Sequence, residues 1–260
     1  MIGIFDSGVG GMTVARAVET LLPGYQIIYY GDLARTPYGS KSPEAIIEYS
    51  TSNTEFLLNH GANVIIIACN SAASVASNIL RQKFNVPIFE VITPAVERAV
   101  SSTVSGNIGI IGTRATVRSG IYDEKIKELA PGFRVFSKAC PLLVPLVEEG
   151  WLETRETKMI LRKYLTPLKQ KQIDTLVLGC THYPLLKDLI QHRMGINRVR
   201  LIDSSIEVAL TLKNYLSVNE NVCKILQRGS ENKYFVSDMT KAALATAEKI
   251  FGRHINLEKV

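Results

Sequence analysis

The 260-residue chain reads as an α/β protein of two pseudo-symmetric domains, each a mostly parallel sheet flanked by helices, with an active site in the cleft between them. Three observations predict this. Short apolar, β-branched runs alternate with longer helical stretches, the pattern of βαβ units and parallel sheets. The strand runs fall into two sets of similar layout. A cysteine ends one run in each set, Cys69 in the first and Cys180 in the second, 111 residues apart.

The first set places strands at residues 2–5, 26–30, 64–68 and 88–92, with helices at 13–22, 43–59 and 71–84 between them. The second set places strands at 107–111, 134–137, 175–178 and 199–202. Crossovers of this length are expected to be right-handed. The X-Pro step Thr93-Pro94 interrupts the chain and marks a first domain break. Asp203-Ser204-Ser205, a polar cluster suited to capping a following helix, marks a second. The tail then supplies a helix at 206–215, a strand at 234–236 and a helix at 240–251, and is expected to pack back on the first domain. The expected domains are therefore 1–94 with 207–260, and 95–206. Residues 217–232 are polar, poorly patterned and read as a loop.

A hydrophobic content of 46% and a charged content of 21% fit a globular protein. No apolar run approaches the roughly 20 residues that span a bilayer, and no basic segment followed by an apolar one opens the chain. A cytoplasmic location without membrane contact is the expectation. Four cysteines without a leader fit a reducing compartment rather than a disulfide framework. The net charge of +6 comes mainly from residues 101–206, with 16 Lys/Arg against 10 Asp/Glu. Those bases are interleaved with acids, as in Lys125-Ile126-Lys127-Glu128, and read as a solvated helix face. Nucleic acid as main ligand would need clustered bases with aromatic platforms, so it is not expected.

Each cysteine follows a buried-strand run and a small residue, and precedes hydrogen-bonding side chains: Ala68-Cys69-Asn70-Ser71 and Gly179-Cys180-Thr181-His182. In open parallel sheets the ligand crevice lies outside such strand tips. Two thiols facing across a cleft could take a proton from one side of a carbon and return one to the other. A lone cysteine after a buried strand is usually just a small hydrophobe; duplication and polar flanks argue against that here. Cys69, Cys180, His182 and Asp6 are all zinc-ligand types, yet no CxxC or HxxxH pair anchors a site, and no metal is expected.

Four loops carry the remaining candidates. Asp6-Ser7-Gly8-Val9-Gly10-Gly11 follows the first strand and lets backbone approach a ligand closely. Thr13 stands where a dinucleotide fingerprint needs its last glycine, and no Gly-Lys-Ser/Thr follows. Asp6 would repel a phosphate and better suits holding an ammonium or orienting a thiol. In the second loop Asp32 and the Tyr38-Gly39 backbone line the same crevice, or the segment is a plain turn at Pro37. The third, Gly112 to Thr116, holds the place of the glycine-rich loop; its hydroxyls bind a carboxylate or cap a helix. The fourth ends Glu148-Glu149-Gly150, where the acids on their own read as a solvated helix end.

Taken together, DSGVGG at 6–11, YYGD at 29–32, PYG at 37–39, ACNSA at 68–72, GTxxT at 112–116, LVEEG at 146–150 and GCTHYP at 179–184 resemble the glutamate racemase family. The resemblance implies a cofactor-independent racemase in which Cys69 acts on the α-proton of D-glutamate and Cys180 on that of L-glutamate. It implies that Asp6 assists the first thiol, that His182 and Glu148 assist the second, and that Asp32 is a further acid near the site. Substrate contacts are implied for Asp6, Ser7, Asp32, Tyr38, Gly39, Asn70, Ser71, Thr181 and His182. A homodimer that supplies D-glutamate for bacterial peptidoglycan is implied too. One departure is Cys-Asn-Ser where the family usually reads Cys-Asn-Thr; Ser71 keeps the hydroxyl and loses a methyl. A racemase of aspartate or a related amino acid, and a protein that binds an acidic amino acid without turnover, are the alternatives.

Overall fold

A computed structural model describes residues 1–229 and 231–260. The first half alternates β1 (Ile2–Asp6), α1 (Met12–Leu21), β2 (Ile27–Gly31), α2 (Pro43–Asn59), β3 (Val64–Ile67), α3 (Asn70–Lys83) and β4 (Ile88–Glu90). After α4 (Ile92–Ser102), the second half runs β5 (Asn107–Gly112), α5 (Arg114–Ser119), α6 (Ile121–Leu129), β6 (Arg134–Ala139), α7 (Leu143–Glu148), α8 (Arg155–Gln170), β7 (Thr175–Gly179), α9 (Lys187–Met194) and β8 (Arg200–Asp203). The tail adds α10 (Ser204–Val218), α11 (Glu220–Ile225), β9 (Lys233–Val236), α12 (Lys241–Phe251) and β10 (Leu257–Lys259).

The strands form two sheets, β10-β9-β2-β1-β3-β4 and β6-β5-β7-β8, and every named pairing is parallel. The duplication is visible in the order: β2-β1-β3-β4 in one sheet matches β6-β5-β7-β8 in the other. β1 and β3 are buried along their whole length because helices cover both faces, and their uniformly apolar runs are what two covered faces demand. Side chains from both sheets join one large core cluster, and a second surrounds β7 and α8.

Four expectations need correction. The strand expected at 88–92 ends at Glu90, and the break expected at Thr93-Pro94 lies inside the first turn of α4. Proline is tolerated there because first-turn N–H groups have no partner within the helix. Buried Glu90 satisfies two of them, accepting from the amides of Ile92 and Thr93. The helix expected at 206–215 begins at Ser204, with Asp203 capping the amide of Ser205 at 3.0 Å. The 217–232 loop contains α11; the part of that expectation falling on Ser230 lies outside the described residues. β10 has almost no sequence signal, since Leu257-Glu258-Lys259 carries a single apolar residue; its ladder with β9 makes it a strand.

Candidate active site

Parallel register aligns the tip of β3 with that of β1 in one sheet and the tip of β7 with that of β5 in the other. Ala68 continues the β3 ladder by donating to the carbonyl of Phe5 at 2.9 Å, and Gly179 pairs with Gly112. Cys69 and Cys180 therefore leave equivalent positions in the two sheets. Both line one closed cavity of about 20 Å³, room for little more than a water molecule. Ser7, Tyr38, Gly39, Asn70, Ser71, Thr181 and His182 of the expected set also border it. A larger cleft of about 470 Å³, between α1, α12 and the chain near Leu185, touches neither cysteine.

The two thiols sit in different company. Cys69 precedes α3 directly, and its Sγ lies 3.6 Å from the Ser7 hydroxyl. Burial and then the charge of Asp6 push the Cys69 thiol up to about 12, against the pull of the Ser7 hydroxyl and the Ala72 amide. Asp6 is wholly buried, which raises its own carboxyl. One of its oxygens accepts from the amides of Gly8 and Gly11, each at 3.0 Å, and the other from the Thr181 hydroxyl at 3.3 Å. The glycine loop makes this possible by close packing. A Cβ on Gly11 would fall 2.3 Å from that of Asp6, and one on Gly10 would fall 2.4 Å from His182 Nδ1.

Cys180 instead faces His182, whose Nδ1 stands 3.9 Å from its sulfur and whose Nε2 is 3.1 Å from Glu148. Burial alone would lower the imidazole, but Cys180 and Glu148 outweigh it and push His182 up to about 10. Glu148, the last residue of α7, meets the cavity through His182 and is not one of its lining residues.

Asp32 also falls short of the cavity. Its carboxylate is held by Tyr38, by Arg35 Nε at 2.7 Å and by the Ser237 hydroxyl at 3.0 Å, so it positions Tyr38 rather than facing a ligand. Asp6 likewise acts from behind Ser7 and the glycines. Thr36, Pro37, Thr113 and Val144 complete the lining. Thr113 bonds the Ser71 hydroxyl at 2.8 Å across the two halves and caps α5 through the Thr116 amide, the helix-cap reading of its loop. Thr36 and Val144 carry no sequence signal, being an ordinary loop residue and an apolar helix residue. Asn70 accepts at Oδ1 from Tyr122 at 2.7 Å, while its buried Nδ2 has no hydrogen-bond partner among the described residues.

Among the described residues no group of three or more His, Cys, Asp or Glu is arranged to hold a metal ion, and no helix is long and apolar enough to cross a membrane.

The family model for Asp/Glu/hydantoin racemases matches residues 12–211. A glutamate racemase from Persephonella marina is 44% identical over 100% of this chain and 96% of its own length. The crystal structure of a glutamate racemase isoform from Bacillus anthracis superimposes with a TM-score of 0.92 at 35% identity, covering 100% of this chain and 97% of that one. The Francisella tularensis glutamate racemase, crystallised in complex with D-glutamate, gives 0.90 at 33% identity, covering 100% and 96%. The chain belongs to the Asp/Glu/hydantoin racemase family and is an isomerase.

Proposed function

We propose that this racemase interconverts L- and D-glutamate without a cofactor, passing the α-proton between two cysteines. The observation that carries the reading is that two thiols from equivalent strand tips of a duplicated fold border one closed cavity. Racemisation needs a base on one face of the α-carbon and an acid on the other, and one thiol per half supplies both. In the L-to-D direction Cys180 removes the proton, with the imidazolium of His182 beside its sulfur and Glu148 orienting the ring. Cys69, held protonated in the empty site, then delivers a proton to the opposite face. The D-to-L direction reverses these roles, and the substrate ammonium then favours the Cys69 thiolate. Charge building on the substrate carboxylate is met by Asn70 Nδ2, the hydroxyls of Ser71 and Thr113 and the amides at the start of α3.

The cavity is too small for glutamate, so the halves open to admit it and close to exclude water. The moving units are the two sheets, each with the helices that cover it. The enzyme works in the cytoplasm as a homodimer, and its D-glutamate feeds peptidoglycan synthesis. The wide relatedness to glutamate racemases supports glutamate over aspartate.

The test is polarimetric racemisation of L- and D-glutamate and of both aspartate enantiomers by the purified chain, with no cofactor added. Turnover of glutamate in both directions is expected. Turnover of aspartate alone would move the assignment to that substrate, and binding of glutamate without turnover would make the chain a binding protein.

A further inference from the structure

Tyr122 is not part of the cavity lining, yet it touches both halves of the site. Its phenol lies on α6 of the second half and donates to Oδ1 of Asn70, the residue after Cys69. Its ring packs under the tip of β7, where a Cβ on Gly179, the residue before Cys180, would come within 3.3 Å of it. The side chain is fully buried, and burial followed by the charges of Glu90 and Cys180 keeps the phenol protonated well above its ordinary range.

A buried phenol proton needs an acceptor. Among the described residues the only hydrogen bond the Tyr122 hydroxyl makes is to Asn70 Oδ1. Turning the Asn70 amide over would bring its NH2 to the phenol, leave the phenol proton without an acceptor and put a carbonyl oxygen where Nδ2 now stands. The carboxylate of an amino acid would meet that oxygen with repulsion. In the orientation present, the two N–H donors on the buried Nδ2 of the cavity residue Asn70 have no acceptor among the described residues.

We propose that Tyr122 is a positioning residue for racemisation: by holding Asn70 Oδ1 it locks the amide so that Nδ2 is available to the substrate carboxylate. This inference rests on the glutamate racemase reading.

The test is a double-mutant cycle of wild type, Tyr122→Phe, Asn70→Ala and the double variant, with kcat and KM measured from both enantiomers. Tyr122→Phe keeps the ring against Gly179, so the fold is expected to survive, as near-ultraviolet circular dichroism would show. KM for both enantiomers is expected to rise about tenfold in Tyr122→Phe, the scale of one buried hydrogen bond, with kcat changed less than about threefold. In the Asn70→Ala background the same substitution is expected to change nothing further. Calorimetric binding of D-glutamate to the same four variants carrying Cys180→Ala gives the same cycle without turnover. Losses that add, or an unchanged KM in Tyr122→Phe, overturn the positioning role while wild-type turnover preserves the racemase reading. A wild type that does not racemise glutamate overturns both.

Discussion

The Cys69 side and the Cys180 side of the cavity are built on the same strand order and differ in the residues that come after each sulfur. After Cys69 the chain enters α3 at once, so the thiol meets helix amides, the Ser7 hydroxyl and, behind them, buried Asp6. After Cys180 the chain makes a short turn before α9, which leaves room for His182 to fold back toward the sulfur with Glu148 behind it. One side thus holds a thiol raised by burial and a neighbouring carboxylate, and the other a thiol beside a histidine with its own carboxylate. Duplication places two sulfurs equivalently; the few residues after each strand make them chemically unlike.

The comparison can be broken most severely at the sulfurs. Cys69→Ala and Cys180→Ala are each expected to lower kcat/KM by at least about a thousandfold, the scale of a lost general acid or base. A single thiol that proved dispensable would remove the need for two faces. His182→Gln is expected to cost about a hundredfold, since it removes the imidazolium from beside one sulfur only. Ser7→Ala is expected to cost about tenfold, because it removes one weak hydrogen bond at the other sulfur. Both are read by polarimetric assay at saturating and limiting substrate.

The smallest effect is on stability. His182 is raised in the folded state above its ordinary value of 6.5 to about 10. Its contribution is therefore fully present below about pH 6.5 and lost as pH rises through 10. Thermal midpoints of wild type should fall relative to His182→Gln between those limits. Parallel curves would show that the His182–Glu148 contact contributes nothing to the folded state.

The core of this architecture was legible because β-branched runs such as Val64 to Ile67 are unambiguous. The two cysteines stood out because a strand tip is where a ligand crevice opens. The Thr93-Pro94 step misled because proline signals a break in isolation, whereas buried Glu90 supplies the cap that lets a helix start there. β10 depends on a neighbouring strand and so leaves little trace in its own three residues. Asp32 and Glu148 were recognisable as acids near the site, but their distance from the cavity depends on Tyr38 and His182 standing in front. Tyr122 carries no signal of its own in the sequence, since its partner is 52 positions away.

Because the enantiomers of glutamate have equal free energy, any variant must lose kcat/KM equally in both directions with unlabelled substrate. The most direct test of the two-sided account is therefore the α-deuterium isotope effect on kcat/KM, measured from L- and from D-[2-²H]glutamate in His182→Gln and Ser7→Ala. Weakening the Cys180 side should enlarge the effect from L and diminish it from D, and weakening the Cys69 side should do the reverse. Isotope effects that move in the same sense for both enantiomers in both variants would contradict the assignment of one thiol to each face.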